Sequence, residues 1–337
     1  LSVTSELIGK YSLYTEGETP YADLFNGNAE DADEIILARE HTHTTGSITT
    51  GNRLNQAFFL KEMSGGDALR ALTPTGSLVD AYPMADGRLI HESGSTYDPK
   101  DPYRDRDPRL AQSIIYPTST IRESKTMTWV LYDPESEKSI PGQRYDAKEP
   151  SSSGYVWKKY CDWSDHAMIQ ILDGGVDVIY FRYADVLLMH AEALLETKGI
   201  AASSEIFAII NQLRDRCGGG RVTEANYTSE DALRTLVRNE RRVELANEGL
   251  RFFDIRRWKV AEKTVAVSGE GMNGEVYGAF MRLDGVGATD RTVMVDGVPR
   301  RYVETYNFDP SKHYLFPIPS KDIDLTNGAL SQNSGWD

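Results

Sequence analysis

Phe181-Arg-Tyr-Ala-Asp-Val-Leu-Leu-Met-His-Ala-Glu-Ala-Leu-Leu195 places apolar residues at 181, 184, 187, 188, 191, 194 and 195. That spacing marks one face of a helix, and Gly199 supplies a stop. After a short connection, Ile206, Ile209, Ile210, Leu213 and Cys217 repeat the pattern until Gly218-Gly-Gly220 ends it. So short a link implies an antiparallel helix pair. A third helix is expected to open at Thr228, where Thr228-Ser-Glu-Asp231 resembles a capping box, and to run to Gly249. A fourth spans Leu250 to about Val260 and carries Phe252, Phe253, Ile255 and Trp258. Two consecutive helix pairs are the building plan of an α-superhelix. The pairs start about fifty residues apart, more than the ~34 of a standard tetratricopeptide repeat.

Proline marks the flanks. Ten prolines lie between Pro20 and Pro150, three between Pro310 and Pro319, and none from Ser151 to Val298. A helix interior disfavours proline by ~3 kcal/mol, so the proline-free middle permits long helices. Residues 1–175 are rich in Gly, Pro, Ser, Thr and Asp, with short apolar runs at Glu34–Ala38, Ser113–Tyr116 and Met127–Tyr132. Loops with brief strands and short helices are predicted there. Beyond Thr264, alternating segments at Glu275–Leu283 and Arg291–Val295 predict a small hairpin, with Asp296-Gly297 as a turn. The expected fold is mainly α: tetratricopeptide-like helix pairs with a loop-rich region containing short strands and a small hairpin. The regions are 1–178 (loop-rich, ligand-binding), 179–262 (helix pairs) and 263–337 (hairpin and C-terminal loops).

Composition narrows the function. The 337 residues carry 51 Asp and Glu against 37 Lys and Arg, a formal charge of −14. Such an acidic body repels a phosphate backbone, so nucleic acid is not an expected partner. No apolar run approaches the ~18 residues of a transmembrane helix. Two cysteines, Cys161 and Cys217, form neither a disulfide framework nor a metal motif. The chain starts at Leu1 without a basic and apolar leader, as a mature product or a fragment of a longer protein does.

Candidate chemistry is sparse. Gly269-Glu-Gly271-Met-Asn-Gly274 formally matches GxGxxG, but a dinucleotide site needs a helix directly after it, and Val276-Tyr-Gly-Ala-Phe280 reads as strand. A turn-rich loop is the better reading. His41 and His43 lack a carboxylate cluster to complete a metal site and read as polar loop residues. Asp98, Asp101, Asp105 and Asp107 lack the EF-hand pattern, and Arg104, Arg106 and Arg109 between them suggest local ion pairs. Arg238, Arg241, Arg242, Arg251, Arg256 and Arg257 alternate with Glu240, Glu244, Glu248 and Asp254, which reads as charge pairing between adjacent helices. No GxSxG, HExxH, P-loop or Cys-His arrangement appears, and no cofactor or metal is expected.

Aromatic residues are the remaining signal. Tyr97, Tyr103, Trp129 and Tyr132 sit in predicted loops, followed by Tyr155, Trp157, Tyr160 and Trp163. An aromatic ring covers the C–H face of a sugar while Asp, Asn or Arg bonds its hydroxyls. Loop aromatics also staple loops to the body. For Tyr155, Trp157 and Tyr160 the alternation favours stapling in a half-buried strand.

Several motifs occur in a telling order: Tyr21-Ala-Asp-Leu-Phe25, Glu34-Ile-Ile-Leu37, Asp107-Pro-Arg-Leu110, Gly154-Tyr-Val-Trp-Lys-Lys-Tyr160, the 181–193 helix and Ile210-Asn-Gln-Leu-Arg-Asp-Arg216. Asn239-Glu-Arg-Arg-Val-Glu-Leu-Ala-Asn-Glu-Gly-Leu-Arg-Phe-Phe-Asp-Ile-Arg-Arg-Trp258, Leu315-Phe-Pro-Ile-Pro-Ser320 and Gln332-Asn-Ser-Gly-Trp336 follow. Together they closely resemble the SusD/RagB family over nearly the whole chain. The resemblance implies an outer-membrane lipoprotein of Bacteroidetes that faces outside the cell and is not catalytic. It also implies glycan binding and a place as lid on a SusC-like TonB-dependent transporter. Family members begin with a lipobox cysteine and a long helical region before the equivalent of Leu1, so this chain resembles the C-terminal portion, its membrane anchor lying upstream. The helix motifs are scaffold. Family glycan contacts vary and lie in loops ahead of the third repeat. By position these are Tyr97, Tyr103, Trp129 and Tyr132 here, with Trp163 beside them. The alternatives are a peptide- or protein-binding member of the family, a surface glycosidase, and a scaffold that binds no small ligand.

Overall fold

The computed structural model describes residues 1–43, 51–59, 69, 72–117, 119–123, 128–131, 143–146, 153–162, 171–263, 271–280 and 292–336. Among these, the fold is mainly helical with small antiparallel and mixed sheets. Helices Tyr183–Lys198 and Ser203–Arg216 are linked by the 3-10 turn Gly199–Ala202, and Glu230–Glu244 packs on both. Their apolar faces close one core with Leu187, Leu188, Ala191, Leu194, Ile206, Ile210, Leu213, Leu233, Leu236 and Val237, all buried.

Three boundaries differ from the periodicity. Phe181 and Arg182 end a strand, Val178–Arg182, rather than opening the first helix. That strand pairs antiparallel with Ile35–Arg39, setting Phe181 opposite Leu37, and Phe181 is 51% exposed. The backbone partner outweighs the helical spacing of one apolar residue. The third helix begins one residue later than the capping frame: Ser229 is the N-cap, its Oγ accepting from Ala232 N at 3.2 Å. That helix also ends at Glu244, short of Gly249, because Asn247 and Gly249 both adopt positive φ. The fourth is the short helix Arg251–Arg257, which buries Ile255 and leaves Phe252 and Phe253 exposed, Phe252 stacking on Phe316.

The predicted apolar runs become strands Ile35–Arg39, Ile114–Ile115 and Thr128–Leu131. A second core gathers Tyr21, Phe25, Phe58, Phe59, Tyr82, Leu110, Tyr155, Trp157 and Tyr160 under the loop-rich region and receives Val243 and Ala246 from the helices. Tyr155, Val156 and Trp157 are buried in succession, so the expected alternation is absent: the two-residue strand Val156–Trp157 is covered on both faces. Asp296-Gly297 does turn a hairpin, with φ of 51° and 76°, as a two-residue turn of this hand requires. It joins Thr292–Val295 to Val298–Tyr306, a strand the sequence reading lacks, and Gly274–Phe280 pairs with that strand's other edge.

Between the cores lies a buried charge network. Arg109 bonds Asp107, Glu240 and Glu244 at 2.8, 2.7 and 2.9 Å. Arg182 bonds Glu34, Glu244 and Glu248 at 2.8, 2.7 and 2.7 Å. Arg214 bonds Glu240, Arg216 bonds Glu34 and Glu244, and Lys159 bonds Glu248. Five cations thus face five carboxylates, all with side chains at most 6% exposed. Burial pushes the Glu244 carboxyl up, but Arg216, Arg182 and Arg109 more than reverse this and hold it well below the usual range. The expected pairing between adjacent helices is thus partly redirected. Arg241 does bond Asp185 and Asp254, whereas Glu240 and Glu244 take cations from outside their own stretch. Arg109 likewise reaches well beyond its neighbour Asp107.

Candidate functional site

The helix Glu230–Glu244 turns Leu233, Leu236 and Val237 into the core and presents Thr235, Arg238, Asn239 and Arg242 on another face. Positions 235, 238, 239 and 242 are one helical stripe. This stripe lines a cleft of about 90 Å³. Arg251, Trp258 and Val260 form a second wall, and Ser77, Asp80, Leu89, Ile90, His91 and Tyr277 complete it. The short helix Gly76–Ala81, capped by the Thr75 hydroxyl, brings Ser77 and Asp80 to the floor.

Hydrogen bonds hold these groups in place. Asn239 Nδ2 donates to Ala81 O at 2.8 Å, and Arg242 Nη2 donates to Ser77 Oγ at 3.0 Å. Tyr277 Oη donates to Asp80 Oδ2 at 2.7 Å. Burial pushes the Tyr277 hydroxyl pKa up, and the Asp80 charge pushes it further. Trp258 is half-buried, and its Nε1 donates to Glu192 Oε1 at 2.8 Å. The guanidinium groups of Arg257, Arg238 and Arg251 lie 4.7, 4.8 and 5.9 Å from its ring centroid, within cation–π range.

Behind the Asp80–Tyr277 pair lies a cluster of tyrosines and arginines. Tyr97 is half-buried, its Oη accepting from Arg300 Nη2 at 2.9 Å, with the Arg106 guanidinium 5.4 Å from its ring. Burial, then Asp80, pushes its hydroxyl up to about 12 against the opposing pull of Arg300 and Arg106. Tyr103 stacks on Tyr116 with centroids 4.5 Å apart, and its Oη donates to Tyr155 Oη at 3.2 Å. Arg106 is buried and spends its donors on the carbonyls of Val79, Tyr82, Pro83 and Pro102.

Of the residues singled out from sequence, Tyr97 and Tyr103 therefore share one cluster with Arg106 and Arg300, and neither lines the cleft. Trp129 lies on the strand Thr128–Leu131, between Thr120–Glu123 and Gln143–Asp146. Its side chain, and Tyr132 and Trp163 altogether, lie outside the described residues. The sequence reading missed Trp258, Tyr277, Asn239, Asp80 and Arg300 as site residues. The stripe at 235, 238, 239 and 242 was a legible signal, masked by the charge alternation around it. Arg300 carried none, since its partner Tyr97 is 203 residues away. His43 meets Asp162 at 2.9 Å and the Asp173 carbonyl at 2.8 Å, and no cluster of three or more potential metal ligands exists among the described residues.

Known proteins share this architecture. SusD-like protein P2 of Formosa agariphila is 30% identical over 169 residues, 49% of this chain and 27% of its own length. SusD-like protein P38 of the same organism is 34% identical over 99 residues, 28% of this chain and 18% of its own. Two Bacteroides fragilis crystal structures, of a SusD-like protein and of a SusD-like carbohydrate-binding protein, each align with a TM-score of 0.68 at 24% identity. They cover 99% and 96% of this chain, which spans 60% and 59% of theirs, so the chain is well short of the length of these relatives. The SusD family model matches residues 33–336. Over that span, which takes in the charge network and the cleft, the chain belongs to the SusD family.

Proposed function

We propose that this chain is a glycan-binding, non-catalytic part of a nutrient importer on the outer face of the outer membrane. It passes its ligand to a SusC-like TonB-dependent transporter. The observation that carries this reading is the cleft: the Trp258 ring and the Tyr277 phenol stand beside Asn239, Asp80 and Arg242, each already held by a protein hydrogen bond. Pre-positioned planar polar groups next to an aromatic face suit a ring with apolar C–H faces and a hydroxyl rim. The SusD-like carbohydrate-binding protein of B. fragilis, alike in fold, supports the same reading. Tyr97 and Tyr103, both within electrostatic reach of Asp80, are proposed as further ligand contacts. Trp129, Tyr132 and Trp163 are proposed as further stacking residues. The reading requires no metal or cofactor.

Calorimetry against an oligosaccharide panel tests it. The expected result is saturable binding without release of reducing ends, weakened about tenfold by Trp258→Ala, roughly the loss of one stacking contact. Binding to none of the panel overturns the reading, and release of reducing ends by the purified protein overturns its non-catalytic part. Co-purification with a TonB-dependent transporter from native membranes tests the delivery step.

A further inference from the structure

A second hollow, of about 390 Å³, shares no residue with the Trp258 cleft. Arg39, His41, Asn52, Arg53, Val178 and Tyr180 are among the residues that line it. Its volume falls within the roughly 300–1,000 Å³ of small-molecule sites. The sheet of Ile35–Arg39 and Val178–Arg182 builds one wall. Arg39 lies directly opposite Val178 across the antiparallel pair, and Tyr180 follows two residues on. Cross-strand partners share a face, as do residues two apart, so Arg39, Val178 and Tyr180 stand on one side of the sheet. The Tyr180 side chain is not packed away there: the residue is 52% exposed. Asn52 fixes the opposing segment. Its backbone exchanges hydrogen bonds with Gly174 at 2.8 and 2.9 Å, and its Nδ2 donates to Val176 O at 2.6 Å. That pinning carries Arg53, the next residue, into the lining.

The charge of this hollow is unmatched. Arg39 and Arg53 are exposed, and among the described residues neither guanidinium forms a hydrogen bond or an ion pair. The lining holds no carboxylate. Asp173 and Asp177 are buried outside it, and the Asp177 carboxylate accepts from the His41 N–H at 2.7 Å. Other solvent-exposed arginines behave differently: Arg88, Arg104, Arg221 and Arg257 each meet a carboxylate. In a chain of net charge −14, acids to pair with are plentiful, yet two arginines converge on a hollow without one. A locally positive hollow in an acidic body concentrates anions, and a guanidinium fork fits the paired oxygens of carboxylate or sulfate. The exposed Tyr180 ring beside them offers a face for the C–H side of a sugar.

We infer that this hollow binds an acidic sugar, whose carboxylate or sulfate group pairs with Arg39 and Arg53 while its ring rests on Tyr180. The inference rests on the glycan reading for the nature of the ring and on the hollow alone for the charge.

The test is calorimetry at fixed ionic strength with D-glucuronate, D-glucose 6-sulfate, D-glucose and inorganic sulfate. At least one acidic sugar binds about tenfold or more tighter than glucose, and the double variant Arg39→Gln, Arg53→Gln abolishes the difference. The stronger of the two names the acid. Tyr180→Ala weakens the acidic sugar roughly three- to tenfold, and Trp258→Ala leaves its binding unchanged. Both arginines are exposed, so the double variant is expected to fold. Should it not, the unaltered protein carries the test: the Arg39 and Arg53 Nε–H resonances shift with the acidic sugar and stay in place with glucose. Equal affinities for the three sugars, a preference that survives the double variant, or unmoved arginine resonances overturn the inference. Inorganic sulfate bound as tightly as the sulfated sugar reveals an anion site blind to the ring and also overturns it. Neutral oligosaccharides bound through Trp258, with no acidic preference, overturn this inference and leave the glycan reading standing. Glucuronate held by Arg39 and Arg53 in a protein that binds no neutral oligosaccharide supports this inference and removes the Trp258 cleft from the glycan reading.

Discussion

Glu244 shows why a single side chain matters in this fold. It touches Arg109, Arg182 and Arg216, and none of the four reaches water. Glu244→Gln removes the charge that three guanidinium groups share and is expected to destabilise the protein by about 3–5 kcal/mol, measured by urea unfolding. Its folded pKa is depressed below the unfolded value of about 4.3, so its contribution is complete above that pH and is lost as pH falls through the folded value. Stability measured from pH 7 downward therefore declines below about pH 4.3, and the Glu244→Gln variant declines less steeply. Glu244 was legible as a member of a charged helix face. Its partners were not, because Arg109 and Arg182 come from segments 135 and 62 residues away.

Helix and strand boundaries respond to local chemistry that two pairs of experiments separate. Ser229→Ala removes the cap of the helix Glu230–Glu244 and costs about 1 kcal/mol in thermal or urea unfolding, while Thr228→Ala costs little. Gly297→Ala costs about 1–2 kcal/mol, from the backbone alone: φ is 76° and the space around a new Cβ is empty. Gly278→Ala costs more than Gly297→Ala, because its Cβ would lie 2.0 Å from the Ser153 carbonyl oxygen, a backbone atom that cannot swing away. Equal melting points for the two glycine variants would sink that distinction. The four helices are readable from sequence because period and glycine stops are local properties. Phe181 misleads because its strand exists only through pairing with Ile35–Arg39, a partner no local window contains.

At the scale of the molecule, the charge network ties the loop-rich region to the helices. Glu34, Asp107, Arg109 and Lys159 come from residues 1–178, and Arg182, Arg214, Arg216, Glu240, Glu244 and Glu248 from the helices and the segments that flank them. Separating the two would strand buried charges on both sides, so the chain is expected to unfold in one transition. Tryptophan fluorescence and far-UV circular dichroism should then trace coincident curves, and two resolved steps would contradict this. Periodicity, glycine stops and the Asp296-Gly297 turn were sufficient to establish a mainly helical chain with a C-terminal hairpin, since each is written in neighbouring residues. Loop position and the family resemblance brought forward Tyr97, Tyr103, Trp129, Tyr132 and Trp163 as candidate ligand contacts. Folding alone settled which carboxylate neutralises which guanidinium, and that Trp258, Asp80 and Tyr277 line one cleft. Those relations depend on distances of a few ångströms between residues far apart in the chain, and such distances exist only once the cores have packed.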